Sequence, residues 1–251
     1  MKKYDKILNL ILPIITVICI LLVWAFGAYL TDNEYLLPSV GKTLKEFFNL
    51  FQNGKFYSAL AFTLLRSFIA FAFSLFIASI FAFFASKSKN FERLILPLIS
   101  IIRSLPTLAI VLLLLIWTNN QVAPILVTSL VVMPTTYTHI KSAIDSIDRN
   151  SVEAGMVDGA NKGKTFFKIE LPQIAPAIYS AIGGGLSLNL KLMVAAEVMS
   201  ATIKSLGTML NIANYNAEIA KMLALVLVVL ILGLILEGIF SYISKKTGEW
   251  K

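Results

Sequence analysis

The chain is poor in cysteine, histidine and charged residues. Its 251 residues include one cysteine, Cys19, and one histidine, His139. A single cysteine excludes an internal disulfide, and a single histidine excludes a histidine-based zinc centre. Charged residues make up 14% of the chain, whereas about a quarter is usual in soluble domains. Because 57% of the residues are hydrophobic and the mean hydropathy is +0.80, the composition indicates a membrane protein rather than a soluble enzyme or a disordered chain.

Long apolar runs predict helices that cross the membrane, since about 20 apolar residues span the hydrocarbon core. The first run is longer than the roughly 7–15 residues of a signal-peptide core, so we expect an uncleaved anchor rather than a signal peptide. The third run is interrupted at Arg103 and Pro106. Helices are expected because barrel strands would show a two-residue alternation. The six predicted spans are residues 7–30, 59–86, 94–117, 122–140, 174–200 and 219–243.

The distribution of lysine and arginine predicts which side of the membrane each loop occupies. If the N-terminus is inside, 14 of the 22 basic residues lie in inner segments and four lie in outer ones. The positive-inside rule therefore predicts that both termini are cytoplasmic. This topology accounts for the net charge of +8, so no nucleic-acid partner is expected. The inner set is Lys2, Lys3, Lys6, Lys87, Lys89, Arg93, Lys141, Arg149, Lys162, Lys164, Lys168, Lys245, Lys246 and Lys251.

The outer loop, residues 31–58, is predicted to form an amphipathic surface helix. Ser39 suits the N-cap position and Gly54 suits the end of the helix. We expect the helix to lie in the outer membrane interface, and the alternative is a docking surface for an extracellular partner. The apolar face comprises Val40, Leu44, Phe47, Phe48 and Phe51.

The inner loop, residues 141–172, is the longest polar stretch of the chain. Asn150 followed by Glu153 predicts a capping box at the start of a short helix. Asp158-Gly159 predicts a turn, after which a second short helix leads to Leu171-Pro172 at the start of the fifth span. The small residues of this loop favour docking into a protein groove, and the alternative is a segment that rests on lipid headgroups.

The same loop resembles a motif of a known family. Glu153-Ala154-Gly155, then Gly159, then Ile169-x-Leu171-Pro172 are similar to the EAA loop of binding-protein-dependent ABC importer permeases. The spacing matches throughout, and Gly155 in place of a second alanine is the one departure. Other stretches are similar to the nitrate, sulfonate and taurine branch: Leu36-Leu37-Pro38-Ser39, Arg103-Ser104-Leu105-Pro106, Ala195-Ala196-Glu197, Leu206-Gly207 and Gly233-Leu234-Ile235-Leu236-Glu237.

The resemblance implies an all-α integral membrane protein of the type I, MetI-like permease fold, with residues 1–251 forming a single transmembrane domain. It implies a non-catalytic subunit, with ATP hydrolysis in a separate cytoplasmic ATPase subunit. It also implies an extracellular solute-binding protein and a second permease chain, for which a homodimer is the simplest arrangement. The expected location is a bacterial cell membrane, with the lipid bilayer as the remaining partner.

The resemblance also assigns roles within the inner loop. Glu153, Ala154 and Gly155 would lie on a coupling helix seated in a groove of the ATPase, where Glu153 would pair with a basic residue. Gly159 would make the turn between the two short helices. Ile169, Leu171 and Pro172 would join the loop rigidly to the membrane helices, which completes the predicted set of ATPase-coupling residues.

Three charges within the spans are candidates for the substrate pathway: Arg103, Lys191 and Glu197. A charge in a span is costly unless it finds a partner or water. Lys191 and Glu197 are six residues apart, so they cannot pair with each other on one helix face. Either these groups pack against subunits or lipid headgroups, or Lys191 or Arg103 offers positive potential to an anionic substrate. Arg66, near the outer face, is expected to be structural.

No catalytic, metal or cofactor site is predicted. Gly163-Lys164-Thr165 resembles the end of a P-loop, but Asp158 occupies the position of the required first glycine. The resemblance implies that the substrate is a small anion such as a sulfonate, taurine or nitrate, and a thiamine-type pyrimidine precursor is the alternative because that importer group is also similar. An ion-coupled secondary transporter is disfavoured because no internal repeat is evident. A membrane-embedded enzyme is disfavoured because no nucleophile motif occurs.

Overall fold

The structure, a computed structural model, describes residues 2–248, with side chains from residue 11 onward; Lys251 of the predicted inner set lies outside the described residues. Every regular element in this range is helical, which confirms the all-α prediction. The helices are α1 Lys2–Thr31, α2 Val40–Leu50, α3 Gly54–Lys87, α4 Lys89–Ser104, α5 Thr107–Trp117, α6 Ala123–Asp145, α7 Arg149–Val157, α8 Lys162–Thr165, a π-helical segment Phe166–Glu170, α9 Leu171–Ser200, α10 Leu206–Tyr215 and α11 Ile219–Gly248.

Five helical stretches are long and apolar enough to cross a membrane, and a sixth is obtained if α4 and α5 form one broken span. This agrees with the six predicted apolar runs, and it makes the chain a multi-pass membrane protein. The fifth predicted span begins earlier than expected, because α8, the π-helical segment and α9 follow one another without a break. The five stretches are Ile11–Thr31, Gly54–Lys87, Ala123–Asp145, Lys162–Ser200 and Ile219–Gly248.

The third predicted span, residues 94–117, is bent by 93° between α4 and α5. Leu105, which follows the end of α4, is extended with φ −68° and ψ 132°. The ring of Pro106 disfavours a helical conformation at the residue before it, and proline offers no backbone N–H to continue the helix. The proline therefore produces a sharp corner instead of a mild interruption.

The chain contains two compact units, the first formed by residues 1–57 and 209–228. In this unit the hydroxyl of Ser39 accepts a hydrogen bond from the N–H of Lys42 at 3.3 Å, which confirms Ser39 as the N-cap of α2. The prediction that Gly54 ends this helix is wrong, because α2 ends at Leu50 and Gly54 begins α3. The side chain of Asn53 accepts from the N–H of Lys55 at 3.0 Å, so it caps the new helix and places Gly54 in its first turn.

The second unit comprises residues 58–208 and 229–251, and its core lies around α6 and α9. Two glycines allow other helices to approach α9 closely. A Cβ at Gly185 would lie 2.7 Å from the ring of Phe71, and one at Gly183 would lie 2.7 Å from Cβ of Phe240. These glycines therefore serve close helix packing, which is the mode expected where small residues line membrane helices.

Candidate functional site

The inner loop begins at Asp148, which caps α7. Its side chain accepts a hydrogen bond from the N–H of Asn150 at 3.0 Å. The hydroxyl of Ser151, together with this N–H, holds the pKa of Asp148 below its usual value. The N–H of Asp148 donates to Oε1 of Gln173 at 2.8 Å. The start of α7 is thereby tied to the first turn of α9.

The predicted capping box at Asn150 and Glu153 is wrong. Asp148 has the extended backbone of an N-cap, and Ser151 occupies the third helical position. Glu153 lies two residues further on, so its carboxylate is not used to cap the helix. This leaves Glu153 exposed, and its carboxylate makes no hydrogen bond or ion pair with the side chains that the structure describes, residues 11–248.

The predicted turn at Asp158-Gly159 is present. Gly159 has φ +83°, a left-handed conformation that glycine adopts without strain. The N–H of Ala160 donates to the carbonyl of Gly155 at 3.0 Å, and the N–H of Gly159 donates to that of Met156 at 3.1 Å. These two bonds form a Schellman motif, which ends α7 and reverses the chain.

Gly155 lies in contact with Ile169 of the π-helical segment. A Cβ at position 155 would fall 2.3 Å from Cδ1 of Ile169, so the isoleucine occupies the space of the missing side chain. The glycine that departs from the family motif therefore allows the two arms of the loop to touch. Ile169 and Leu171 also pack against a buried cluster formed by Ala143, Ile147, Val152 and Ile174.

One face of α7 is buried against the rest of the second unit, and another face is exposed. Val152 is buried in the cluster, whereas Glu153 and Ala154 are exposed. Met156 is 48% and Val157 is 87% exposed. The nine-residue helix α7 therefore exposes two large apolar side chains beside the carboxylate of Glu153.

Leu171 and Pro172 lie in the first turn of α9, where proline is tolerated. Leu171 is half-buried and Pro172 is exposed. No loop separates them from α8, since helical structure continues from Lys162 to Ser200. A displacement of the inner loop would therefore be carried directly into a membrane helix.

Glu197 on α9 is fully buried and is held by a set of donors. Arg66 Nη1 lies 3.1 Å from its carboxylate in an ion pair. The hydroxyl of Thr63 donates to it at 2.8 Å, and the N–H of Gly207 donates at 3.3 Å. A buried carboxylate with this many partners is compensated, which is the condition for keeping a charge inside an apolar bundle.

Arg66 is the centre of the same network. Its Nη2 donates to Oε1 of Gln121 at 2.5 Å and to the carbonyl of Ile203 at 3.0 Å, and Nη1 donates to the carbonyl of Lys204 at 3.4 Å. Arg66 therefore joins α3 to three separate parts of the second unit: α9, the turn before α6 and the loop after α9.

Gly207 allows this network to form. A Cβ at this position would lie 2.4 Å from Cβ of Glu197 and 2.5 Å from the backbone nitrogen of Val198. The adjacent N–H of Leu206 donates to the hydroxyl of Thr63 at 3.0 Å. At Leu206-Gly207, a stretch that resembles the family, the start of α10 therefore lies directly against the end of α9.

The two basic pathway candidates differ from Glu197 in their surroundings. Arg103 is exposed and donates to the hydroxyl of Thr138 at 2.9 Å. Lys191 is exposed, and its Cε would lie 3.7 Å from a Cβ at Gly233 of α11. Neither residue makes an ion pair with the residues that the structure describes. Both cations remain uncompensated by acidic side chains of the described chain.

Comparison with known proteins identifies the family. Residues 74–249, more than half of the chain, match the family described as binding-protein-dependent transport system inner membrane component. The chain therefore belongs to this family, the membrane permease subunits of ABC importers.

Relatives and solved structures support the assignment. The chain is 22% identical to a putative aliphatic sulfonates transport permease, SsuC of Bacillus subtilis strain 168, over 100% of this chain and 90% of that protein. It is 25% identical to the taurine transport system permease TauC of Escherichia coli K12, over 61% and 56% of the two chains. A crystal structure of an amino acid ABC transporter with histidines is similar in fold, with a TM-score of 0.63 at 18% identity, covering 76% of this chain and 94% of that one. These findings confirm the MetI-like permease fold and the predicted branch.

Proposed function

We propose that this chain forms the translocation pathway of an ATP-driven importer and that a separate cytoplasmic ATPase subunit docks on α7. The observation that carries the proposal is the open face of this helix, where exposed Glu153 has no partner among the described residues beside exposed Met156 and Val157. A carboxylate surrounded by apolar side chains suits a groove that supplies one basic residue.

The attachments of α7 explain how such docking drives transport. The Asp148–Gln173 hydrogen bond and the Gly155–Ile169 contact connect the loop to α9. When ATP closes the ATPase dimer, the loop moves with it and α9 changes its packing. ATP acts through its different affinity for the two states of the complex, so the permease needs no nucleotide site of its own.

The proposed assembly contains two copies of this chain, two ATPase subunits and an extracellular solute-binding protein. Residues 1–251 act as one transmembrane domain in a bacterial cell membrane, with both termini in the cytoplasm. The charge distribution supports this orientation, because the basic residues concentrate in the segments placed inside.

The proposed substrate is a small anion such as a sulfonate, taurine or nitrate. Arg103 and Lys191 support this class, because each is an exposed cation without an acidic partner in the described chain. The relatives named for aliphatic sulfonates and taurine point to the same chemistry. Glu197 contributes to the pathway by holding α9 against α3, since its carboxylate is enclosed by Arg66 and Thr63.

Co-purification tests the docking proposal. The tagged chain is expressed with the ATPase subunit encoded beside it, and recovery of the ATPase is measured. We expect Glu153→Ala to lower this recovery at least about tenfold, which corresponds to about 1.4 kcal/mol of lost binding energy. Glu46→Ala, on the outer helix α2, is the matched control and leaves recovery unchanged. Equal recovery with wild-type chain and Glu153→Ala would contradict docking at α7.

Uptake in proteoliposomes tests the substrate class. With the ATPase and the solute-binding protein present, we expect ATP-dependent uptake of labelled taurine or an alkanesulfonate. Lys191→Gln lowers this uptake while ATPase recovery stays normal. Uptake of a thiamine-type pyrimidine instead would support the alternative substrate, and uptake driven by an ion gradient without ATP would overturn the importer proposal.

A further inference from the structure

A groove of about 340 Å³ lies between the end of α6 and the beginning of α9, and we call it the α6–α9 groove. Ser180 lies six residues inside the predicted fifth span, residues 174–200, so the groove reaches from the base of the inner loop into a membrane segment. Its lining is small or polar on both helices and includes His139, Ser142 and Ser146 of α6 and Ala177, Ser180 and Ala181 of α9.

Three polar side chains of this lining have no partner in the described part of the chain. His139, Ser142 and Ser180 line the groove, and their side chains make no hydrogen bond with any residue that the structure describes. By contrast, the hydroxyl of Ser100 on α4 donates to the carbonyl of Leu96 at 2.9 Å. Hydrocarbon offers no hydrogen bonds, so three unpartnered polar groups in one groove indicate a surface that faces water or a polar solute.

The exposed surface of α6 differs from that of a helix that faces lipid. The exposed residues of α3 between positions 61 and 84 are all apolar, and Phe68 and Phe76 are each 65% exposed. Lipid suits that surface, whereas it would leave the exposed groups of α6 unsolvated. Every exposed residue of α6 is polar: Thr138, His139, Ser142 and Asp145.

The face of α9 that carries Ser180 continues along the helix to Lys191. Gly184 and Lys191 follow Ser180 by four and eleven residues, which places the three on one side of an α-helix. A Cβ at Gly184 would meet no atom within 4 Å, so the surface between Ser180 and Lys191 is open. The groove is therefore one end of an open helix face that also carries a cation of the proposed pathway.

We propose that the α6–α9 groove is the cytoplasmic mouth of the translocation pathway and that it binds the sulfonate group of the departing solute. The hydroxyls of Ser142 and Ser180 and the imidazole of His139 can each donate a hydrogen bond to a sulfonate oxygen. None of the described residues that line the groove is acidic, so the lining does not repel an anion. This role rests on the proposed function, and it adds a second part of the pathway to the position of Lys191.

Cysteine accessibility tests whether the groove is open to water. Single cysteines are placed in a Cys19→Ser background, and inside-out membrane vesicles are treated with sulfonatoethyl methanethiosulfonate, a membrane-impermeant sulfonate that modifies thiols. We expect Ser180→Cys to react within about tenfold of the rate at Lys162→Cys on the inner loop.

Ile80→Cys is the matched control for depth and exposure. Ile80 is exposed on α3 and, like Ser180, lies six residues inside the end of its predicted span, so lipid should protect it from the reagent. If Ser180→Cys is as unreactive as Ile80→Cys, lipid or another chain covers the groove and the proposal is overturned.

Protection by solute tests the ligand class. We expect ethanesulfonate to slow the modification of Ser180→Cys at least about fivefold and to leave Lys162→Cys unchanged. His139→Ala weakens this protection about fivefold, which is the order of one hydrogen bond, while His139→Gln keeps an N–H donor and most of the protection. Absence of protection, or equal protection by the cation choline, would overturn the assignment of a sulfonate site.

Uptake tests whether the groove lies on the pathway. Ser180→Cys is modified in the vesicles, purified and reconstituted with the ATPase and the solute-binding protein. We expect ATP-dependent uptake of taurine to fall at least about tenfold and to return when dithiothreitol removes the modification, so misfolding would not account for the loss. Ile80→Cys treated in the same way keeps its uptake.

Full uptake by the modified Ser180→Cys chain would overturn the proposal. A wild-type chain without ATP-dependent uptake would instead overturn the proposed function. The two failures are distinguishable, because the reactivity at position 180 and its protection by ethanesulfonate are measured without ATP.

Discussion

Glu197 and Arg66 are buried side chains of the second unit, and each carries a charge within an apolar helix. The sequence predicts that Glu197 needs a partner, since an uncompensated charge in a membrane span is costly, and it predicts a structural role for Arg66. It does not predict that Arg66 and Glu197 pair, because they are 131 residues apart and their contact depends on the register between α3 and α9. Gln121 and the carbonyls of residues 203 and 204, which complete the network, carry no signal of this role in the sequence.

Removal of one partner of this pair is expected to destabilise the protein strongly. Glu197→Gln or Arg66→Gln leaves the other charge buried and unpaired, which costs about 3–5 kcal/mol in comparable cases. The double variant loses less than the sum of the two single variants. Thermal unfolding of the purified chain in detergent measures all four corners of the cycle, and additive losses would show that the pair does not act as a unit.

Gly207 is expected to tolerate no side chain. Gly207→Ala places a Cβ against the backbone of Val198 as well as Cβ of Glu197, and neither atom belongs to a flexible side-chain end. We expect a loss of about 1–3 kcal/mol from overpacking, seen as a lower melting temperature. Gly184→Ala is the control, because a Cβ there meets no atom within 4 Å and alanine favours the helix by up to about 1 kcal/mol. Equal melting temperatures for the two variants would contradict the steric argument.

At the scale of helices, local sequence patterns predict which segments are helical better than they predict the capping residues. The two short inner helices, the turn between them and the surface helix after Ser39 follow from spacing that the sequence displays directly. The exact start of α7 does not, because Asp148 and Asn150 are both suitable caps and only the backbone conformation distinguishes them. The π-helical segment and the contact between Gly155 and Ile169 depend on packing between the arms of the loop, which no local pattern encodes.

The cap of α7 is expected to depend on pH. The pKa of Asp148 is lowered in the folded chain, so its stabilising effect is complete above the usual aspartate value of 3.8 and is lost as the pH falls through the lowered pKa. Hydrogen exchange of residues 149–157, corrected for the intrinsic rate, should therefore show decreasing protection over this acidic range. Asp148→Asn keeps a side-chain oxygen without the titration and should show a flat profile. The same acid dependence in both chains would contradict the assignment to Asp148.

At the scale of the whole molecule, hydropathy predicts the number of membrane spans and the basic residues predict the orientation, because both signals are local in sequence. Hydropathy does not predict the 93° bend between α4 and α5, because the residues of a bent segment are as apolar as those of a straight one. The prediction of one domain over residues 1–251 stays a prediction. The identity of the proposed substrate depends on the shape of the proposed pathway, which no local sequence pattern encodes.

The predicted orientation has a direct test. In a Cys19→Ser background, we expect Gln52→Cys in the outer loop to react with a membrane-impermeant maleimide in intact cells. Lys162→Cys in the inner loop should react only after the cells are permeabilised. Both positions are exposed, so access of the reagent is set by the membrane. The reverse pattern of labelling would invert the topology and place α7 outside.

The corner between α4 and α5 bears on how the membrane is kept closed to ions around this chain. The residues from Arg103 to Pro106 are exposed, and α5 begins with no side-chain cap for its first amide groups. Hydrocarbon cannot solvate such groups, so water or a neighbouring polypeptide must reach this depth. In the proposed assembly, another subunit or water would cover these groups and complete the barrier to ions at this corner.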